Sequence, residues 1–181
     1  MKDELFMYLR LNMKLMPIDR GNIFEDPLNE VLMKNEDGEV TGGGTFLDKD
    51  GKPTSCDIEI KTTTENKDKV ISFLKKLDII AKKSYIEING EKIEIGASEG
   101  LSLGLNGTDL EQEIYDTYDS NILLEEIEEK LGDNGRYYSY YVGDKYTYLY
   151  FYGSSYSKMK EIIEEYTKTS PICEKCVIEP I

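Results

Sequence analysis

From Leu5 to Met16 the chain alternates. Leu5, Met7, Leu9, Leu11, Met13 and Leu15 take the odd positions, with Tyr8, Arg10, Asn12 and Lys14 among the even ones. A two-residue period with one apolar face reads as a half-buried β-strand. Pro17 closes the run, because proline has no N–H to give to a sheet ladder.

The segments that follow fall into an order. Asp26-Pro27 predicts a helix start, with Asp26 capping and Leu28, Val31 and Leu32 on one stripe. Val40 to Leu47 and Ser55 to Thr62 read as a hairpin about the turn-rich Asp48–Pro53 connection. Asn66 to Leu77 predicts a helix that buries Val70, Phe73, Leu74 and Leu77. Ser84 to Ile88 returns as a strand that Asn89-Gly90 turns into Lys92–Ile95.

The second half repeats that order. A strand over Leu101–Leu105 precedes a helix over Asn121–Leu131 with Ile122, Leu123, Ile127 and Leu131 apolar. Tyr137–Val142 and Tyr146–Tyr152 make a hairpin about Gly143-Asp144. A helix over Ser155–Lys168 and a closing strand over Cys176–Ile178 follow. Strand, helix, strand, strand, helix, strand is the ferredoxin-like pattern, an antiparallel sheet with both helices on one face. The fold class expected is therefore α+β, with two tandem ferredoxin-like βαββαβ units produced by duplication. The units are 1–96 and 97–181, the second acidic and tyrosine-rich. A single larger sheet carrying the same helices is the alternative. Units of this size hold small cores, so the two are expected to pack together.

Composition narrows the function. The 181 residues carry 36 acidic and 22 basic side chains, a net charge of −14. Residues 96–181 hold 17 of the acids against 7 bases, so most of the excess lies there. Such a surface opposes binding to phosphate backbones. The chain has no histidine, which removes Ser-His-Asp and Cys-His arrangements and the commonest metal ligand. No apolar run of membrane-spanning length exists, and the acidic N-terminus does not resemble a secretory signal, so a cytoplasmic location is expected.

The strongest functional signal is the tyrosine hairpin. Alternation puts Thr147, Leu149 and Phe151 beneath the helices and Tyr146, Tyr148, Tyr150 and Tyr152 on the opposite face. Tyr138 or Tyr137, with Tyr141, joins them according to register. Aromatics on this sheet face stack on bases in RNA-recognition modules, a reading the negative charge opposes. The column otherwise serves as packing against the other unit or a second subunit, or as a protein-binding patch.

Other motifs carry less. Gly42-Gly43-Gly44 lies in a strand context, with no helix or lysine after it to make a phosphate loop. The strip around Gly43 is expected to receive the tyrosine ridge. Cys56, Cys173 and Cys176 lack the fourth ligand of a zinc site and read as buried thiols. Asp109, Asp116 and Asp119 lack EF-hand spacing. Asp57 and Glu59 share a face with Tyr8 and Arg10, as an acid pair or as ion-pair partners.

The function these features favour is a non-catalytic, acidic protein-binding or inhibitor protein of immunity or anti-defence type. It would mask a basic partner such as a nuclease toxin, with neither nucleic acid nor membrane as a partner and with self-association open. The alternative is a small-ligand or regulatory module with a pocket between the units. A third option is an enzyme built on Asp57 and Glu59. The binding residues expected are Tyr146, Tyr148, Tyr150, Tyr152, Tyr138, Gly43, Asp57 and Glu59, with no metal and no cofactor.

Overall fold

A computed structural model describes residues 3–181. The chain divides into two compact units, the first ending at Ala97 and the second beginning at Ser98. Each has its own antiparallel sheet, so the single-sheet alternative is excluded.

In the first unit, β1 (Glu4–Leu11) sits at the centre of a five-stranded sheet. It is flanked by β3 (Pro53–Thr63) and β4 (Ser84–Ile88), with β2 (Glu39–Leu47) and β5 (Glu91–Ile95) outside them. The order β2-β3-β1-β4 is that of a ferredoxin-like sheet, and β5 extends it by one hairpin. Register aligns Leu5, Met7, Leu9 and Leu11 with Thr62, Ile60, Ile58 and Cys56, which gathers one apolar face. That face packs on α2 (Asp26–Lys34) and α3 (Lys67–Leu74), which bury Leu28, Leu32, Val70 and Leu74.

Two local expectations change here. The alternation of burial continues through Met13 and Leu15, both fully buried, but the β1 ladder stops at Leu11. Pro17 then opens a helix, α1 (Pro17–Arg20), at the one position where its missing N–H is harmless. A π-helical turn over Gly21–Glu25 leads from α1 into α2, so Asp26 is already helical and caps nothing. Its N–H reaches back five residues to the Gly21 carbonyl. The wide turn lies immediately before Pro27, whose ring would strike the Ile23 carbonyl in a regular α-helix. In α3, Ile71 is buried and Phe73 is only half-buried, as is Leu77, which lies beyond the helix end at Leu74.

The second unit repeats the order. β6 (Glu99–Asn106) and β8 (Tyr146–Gly153) are central, with β7 (Gly135–Val142) and β9 (Val177–Pro180) at the edges, in the order β7-β8-β6-β9. A short helix, α4 (Gln112–Thr117), precedes α5 (Ser120–Leu131) and was absent from the expected order. Asp119 caps α5, its carboxylate accepting the Asn121 N–H at 2.8 Å, and Ser155 caps α6 (Tyr156–Thr167). Leu101, Leu103, Leu149, Phe151, Leu123, Ile127, Met159 and Ile163 form the core between the sheet and these helices. Tyr166 on α6 donates to Glu126 on α5 at 2.7 Å. Burial, then that carboxylate, pushes the phenol up to about 12, so it stays protonated and the link persists.

The expected helix face errs at one residue: Ile122 is 55% exposed whereas Ile127 is 1% exposed. Ile127→Ala is therefore expected to cost about 2–5 kcal/mol, and Ile122→Ala to stay within about 0.5 kcal/mol, as read by denaturant melts.

Candidate functional site

The tyrosine column forms as the alternation requires, on the face away from α5 and α6. Across β6 its partners are small: Tyr152 opposes Gly100, Tyr150 opposes Ser102 and Tyr148 opposes Gly104. A β-carbon at Gly100 would lie 2.8 Å from the Tyr152 ring, and one at Gly104 would lie 3.2 Å from the Tyr148 ring. The rings lie across positions that only glycine leaves open. Tyr138 meets Tyr152 edge-on at 5.4 Å, and Tyr141 stacks on Tyr148 at 6.4 Å. Tyr150 and Tyr152 are buried and Tyr138 nearly so, while Tyr146 and Tyr148 are half-buried. Of the four tyrosines expected as anchors, only Tyr146 and Tyr148 retain accessible surface.

At two of the three β2 glycines the space beside the backbone is taken by side chains of the same unit. Glu25 occupies the space a β-carbon at Gly43 would need, and Asp57 occupies that of Gly44. Glu25 accepts from Arg20 Nε at 2.8 Å, and Arg20 Nη1 donates to Thr45 Oγ1 at 2.7 Å. Gly43 thus makes room for a carboxylate–guanidinium pair within its own unit.

Asp57 and Glu59 are engaged by neighbours on the same face. Arg10 bonds Asp57, lies 3.8 Å from Glu87 and sits 5.3 Å over the Tyr8 ring. Thr41 donates to Glu59 at 2.7 Å, and a hydrogen bond to Glu59 raises the Tyr8 phenol. This is a self-compensated polar sheet face. The cysteines are protonated thiols at neutral pH: burial pushes Cys173 up to about 11 and raises Cys56 and Cys176. Among the described residues no group of three His, Cys, Asp or Glu side chains is placed to hold a metal ion.

A different site stands out on the helix side of the second sheet. A cavity of ≈ 530 Å³ is walled by Tyr115, Tyr118, Tyr137, Tyr140, Leu124 and Ile172. Val142, Thr147 and Asn106 complete its mouth. A β-bulge in β7 creates the wall. Tyr137 pairs with Phe151 and Tyr140 with Leu149, both core-facing, because Tyr138 is inserted without a partner between them. Strict alternation would set Tyr140 on the opposite face from Tyr137. α4 supplies Tyr115, whose hydroxyl accepts from Leu110 N–H at 3.0 Å and donates to the Asn106 carbonyl at 3.2 Å.

The segment that supplies Tyr115, Tyr118 and Leu124 to the cavity wall is strongly acidic, and its Asp119 lines the cavity itself. Residues 109–129 contain nine carboxylates and no lysine or arginine. Glu111, Glu113, Asp116, Asp119 and Glu125 are exposed, and among the described residues none of them makes an ion pair with a cation. Lys145 and Lys175 both turn to Asp109, at 2.7 Å from its carboxylate and its carbonyl respectively.

No protein-family model matches the chain, and no curated protein matches its sequence. Among solved structures it is similar to the first two RRM domains of a yeast poly(U)-binding protein, with 12% identity and a TM-score of 0.27. That match covers 97% of this chain and 98% of the other. It is also similar to an anthrone oxidase-like protein, with 14% identity, a TM-score of 0.32, and coverage of 93% and 79%. The fold assignment rests on the strand order and register given above.

Two outcomes test this reading. Gly43→Leu is expected to destabilise by about 1–3 kcal/mol in urea melts by displacing Glu25, and Gly42→Ala, where a β-carbon meets nothing within 4 Å, is expected to be neutral. Asp109 is held down to about 2, first by its bond to Lys145 and then by Asn106 and Thr108. A depressed acid stabilises the fold above its unfolded pKa and loses that contribution as pH falls through the folded one. The melting-temperature gap between wild type and Asp109→Asn should therefore be full at about pH 5 and shrink between about pH 4 and about pH 2.

Proposed function

We propose that this chain is a non-catalytic binding protein that masks a basic partner protein, in the manner of an inhibitor or immunity protein. The observation that carries the reading is the contrast between the two charged surfaces. In the first unit the charges of the sheet face are paired within the fold, Arg10 with Asp57 and Glu87 and Lys61 with Glu4 and Glu39. In the second unit the carboxylates from Glu111 to Glu129 make no ion pair with a cation among the described residues. Unpaired like charges at this density cost stability through repulsion and gain when an opposite surface arrives. The same field speeds encounter with a basic partner in a salt-dependent way.

A small-ligand module is the second reading, favoured by the aromatic cavity of the second unit. Such a module would be stabilised by its ligand with little dependence on salt.

The test is a pull-down from host lysate with tagged wild type and with the triple variant Glu111→Lys, Glu113→Lys, Asp116→Lys. All three positions are exposed, so both proteins should fold alike. The expected result is a basic protein held by wild type at about 0.15 M salt, released by about 0.5 M, and absent from the variant. Recovery of the same proteins by both baits, or of none by wild type, would overturn the proposal.

A further inference from the structure

We infer that the aromatic cavity of the second unit seats one aromatic or long aliphatic side chain of a basic polypeptide segment, while lysines or arginines beside that side chain meet Asp119 in the cavity lining and the other carboxylates of the same 111–129 segment. The inference rests on the proposed capture of a basic protein and assigns it a place and a binding mode.

Three features single out this occupant. The cavity volume of ≈ 530 Å³ lies in the range of pockets that enclose an organic group, and its walls are mostly ring and aliphatic surface. Four tyrosines offer faces and edges to a guest ring, and burying such a ring supplies the anchor energy that charge alone lacks. The lip also exceeds the cavity: Tyr118 is 40% exposed, Tyr140 48% and Val142 63%. A small molecule inside the cavity would leave that apolar lip in water, whereas a polypeptide strand crossing the mouth would cover it.

Charge then selects the polypeptide. Nine carboxylates and no base in residues 109–129 repel anionic ligands and a second copy of this chain, whose net charge is −14. Lys145 and Lys175 are held by Asp109, and among the described residues Glu111, Glu113 and Asp116 make no ion pair. A segment that carries its own positive charges on either side of an apolar anchor satisfies both parts of the site.

The absence of tryptophan from the chain gives a clean probe. A synthetic peptide with one central tryptophan between two arginines on each side is titrated with the full-length protein while its emission is followed. The expected result is a blue shift on binding, with affinity at least about tenfold weaker for Tyr140→Ala and for Tyr118→Ala and unchanged for Phe46→Ala, an exposed aromatic of the first unit. Both cavity variants alter exposed rings, and their melting curves are recorded to show that the fold persists.

Binding that leaves the emission at its value in water, or that ignores both tyrosine variants, would overturn the cavity assignment while leaving charge-driven capture standing. A blue shift given equally by N-acetyltryptophanamide and insensitive to salt would overturn the polypeptide occupant in favour of a small ligand. No binding of the peptide would also overturn the inference, and the charge-reversal pull-down decides the broader reading separately.

Discussion

Strand alternation allows only two destinations for a side chain, and a single inserted residue can reassign every residue beyond it. In β7 that residue is Tyr138. Before it, Arg136 pairs with Tyr152 and Tyr137 with Phe151; after it, Ser139 pairs with Tyr150 and Tyr140 with Leu149. The insertion brings Tyr138 and Ser139 to the column side and sends Tyr140 to the helix side, beside Tyr137. Without it Ser139 and Tyr141 would turn to the helix side and Tyr140 to the column side, so a serine would stand opposite Leu149 where the cavity now has the Tyr140 ring. Bulges at sheet edges near functional surfaces commonly re-aim a side chain in this way. The other side of the same sheet depends on the complementary device, small residues on β6. Gly100, Ser102 and Gly104 leave the depth in which Tyr152, Tyr150 and Tyr148 lie.

Much of this architecture was legible in the residues, because it rests on local periodicity. The strand of Leu5–Leu11, the three hairpins and both βαββαβ orders follow from period-two runs punctuated by Gly, Asn and Asp turns. The misreadings have physical reasons. Asp26-Pro27 looks like a helix start because proline at a first turn is harmless, yet here a π turn admits Pro27 within a longer helical run. Ile122 precedes the buried stripe of Leu123, Ile127 and Leu131 on α5 but lies about a quarter-turn off it, five residues from Ile127, and it remains exposed. The fifth strand of the first sheet simply continues the Asn89-Gly90 hairpin outward.

The site was far less legible. Alternation identified the tyrosines but could not locate the bulge, since Tyr137, Tyr138, Tyr140 and Tyr141 are the same residue type and shifting the register by one looks equally satisfactory. Residues 107–119 receive no element from the sequence pattern as read above, although Ile114, Tyr115 and Tyr118 carry the i, i+1, i+4 spacing of one helical face. That spacing was the available signal for α4 and the cavity beneath it. The strand pattern groups Asp57 and Glu59 with Tyr8 and Arg10, and Gly43 with the tyrosine ridge. Asp57, Glu59 and Gly43 are each accounted for by a partner distant in sequence: Arg10, Thr41 and Glu25 respectively.

The two units share a fold and spend their polar residues differently, and this difference is what gives the functional proposal its direction. On the first sheet, Arg10 is surrounded by Asp57, Glu87 and the Tyr8 ring, so formation of that face already answers its charges. An exposed pair of this kind adds little stability, but it leaves no field for a partner to exploit. On the second unit α4 and α5 as far as Glu129 carry acid without base, and an apolar opening on the unit's helix side is walled by residues of that same stretch. Selection for stability alone would favour interspersed lysines at such exposed positions, since alternating charge on helix surfaces is mildly stabilising. Retaining repulsion around an aromatic opening is more economically explained by something positively charged that comes to rest there.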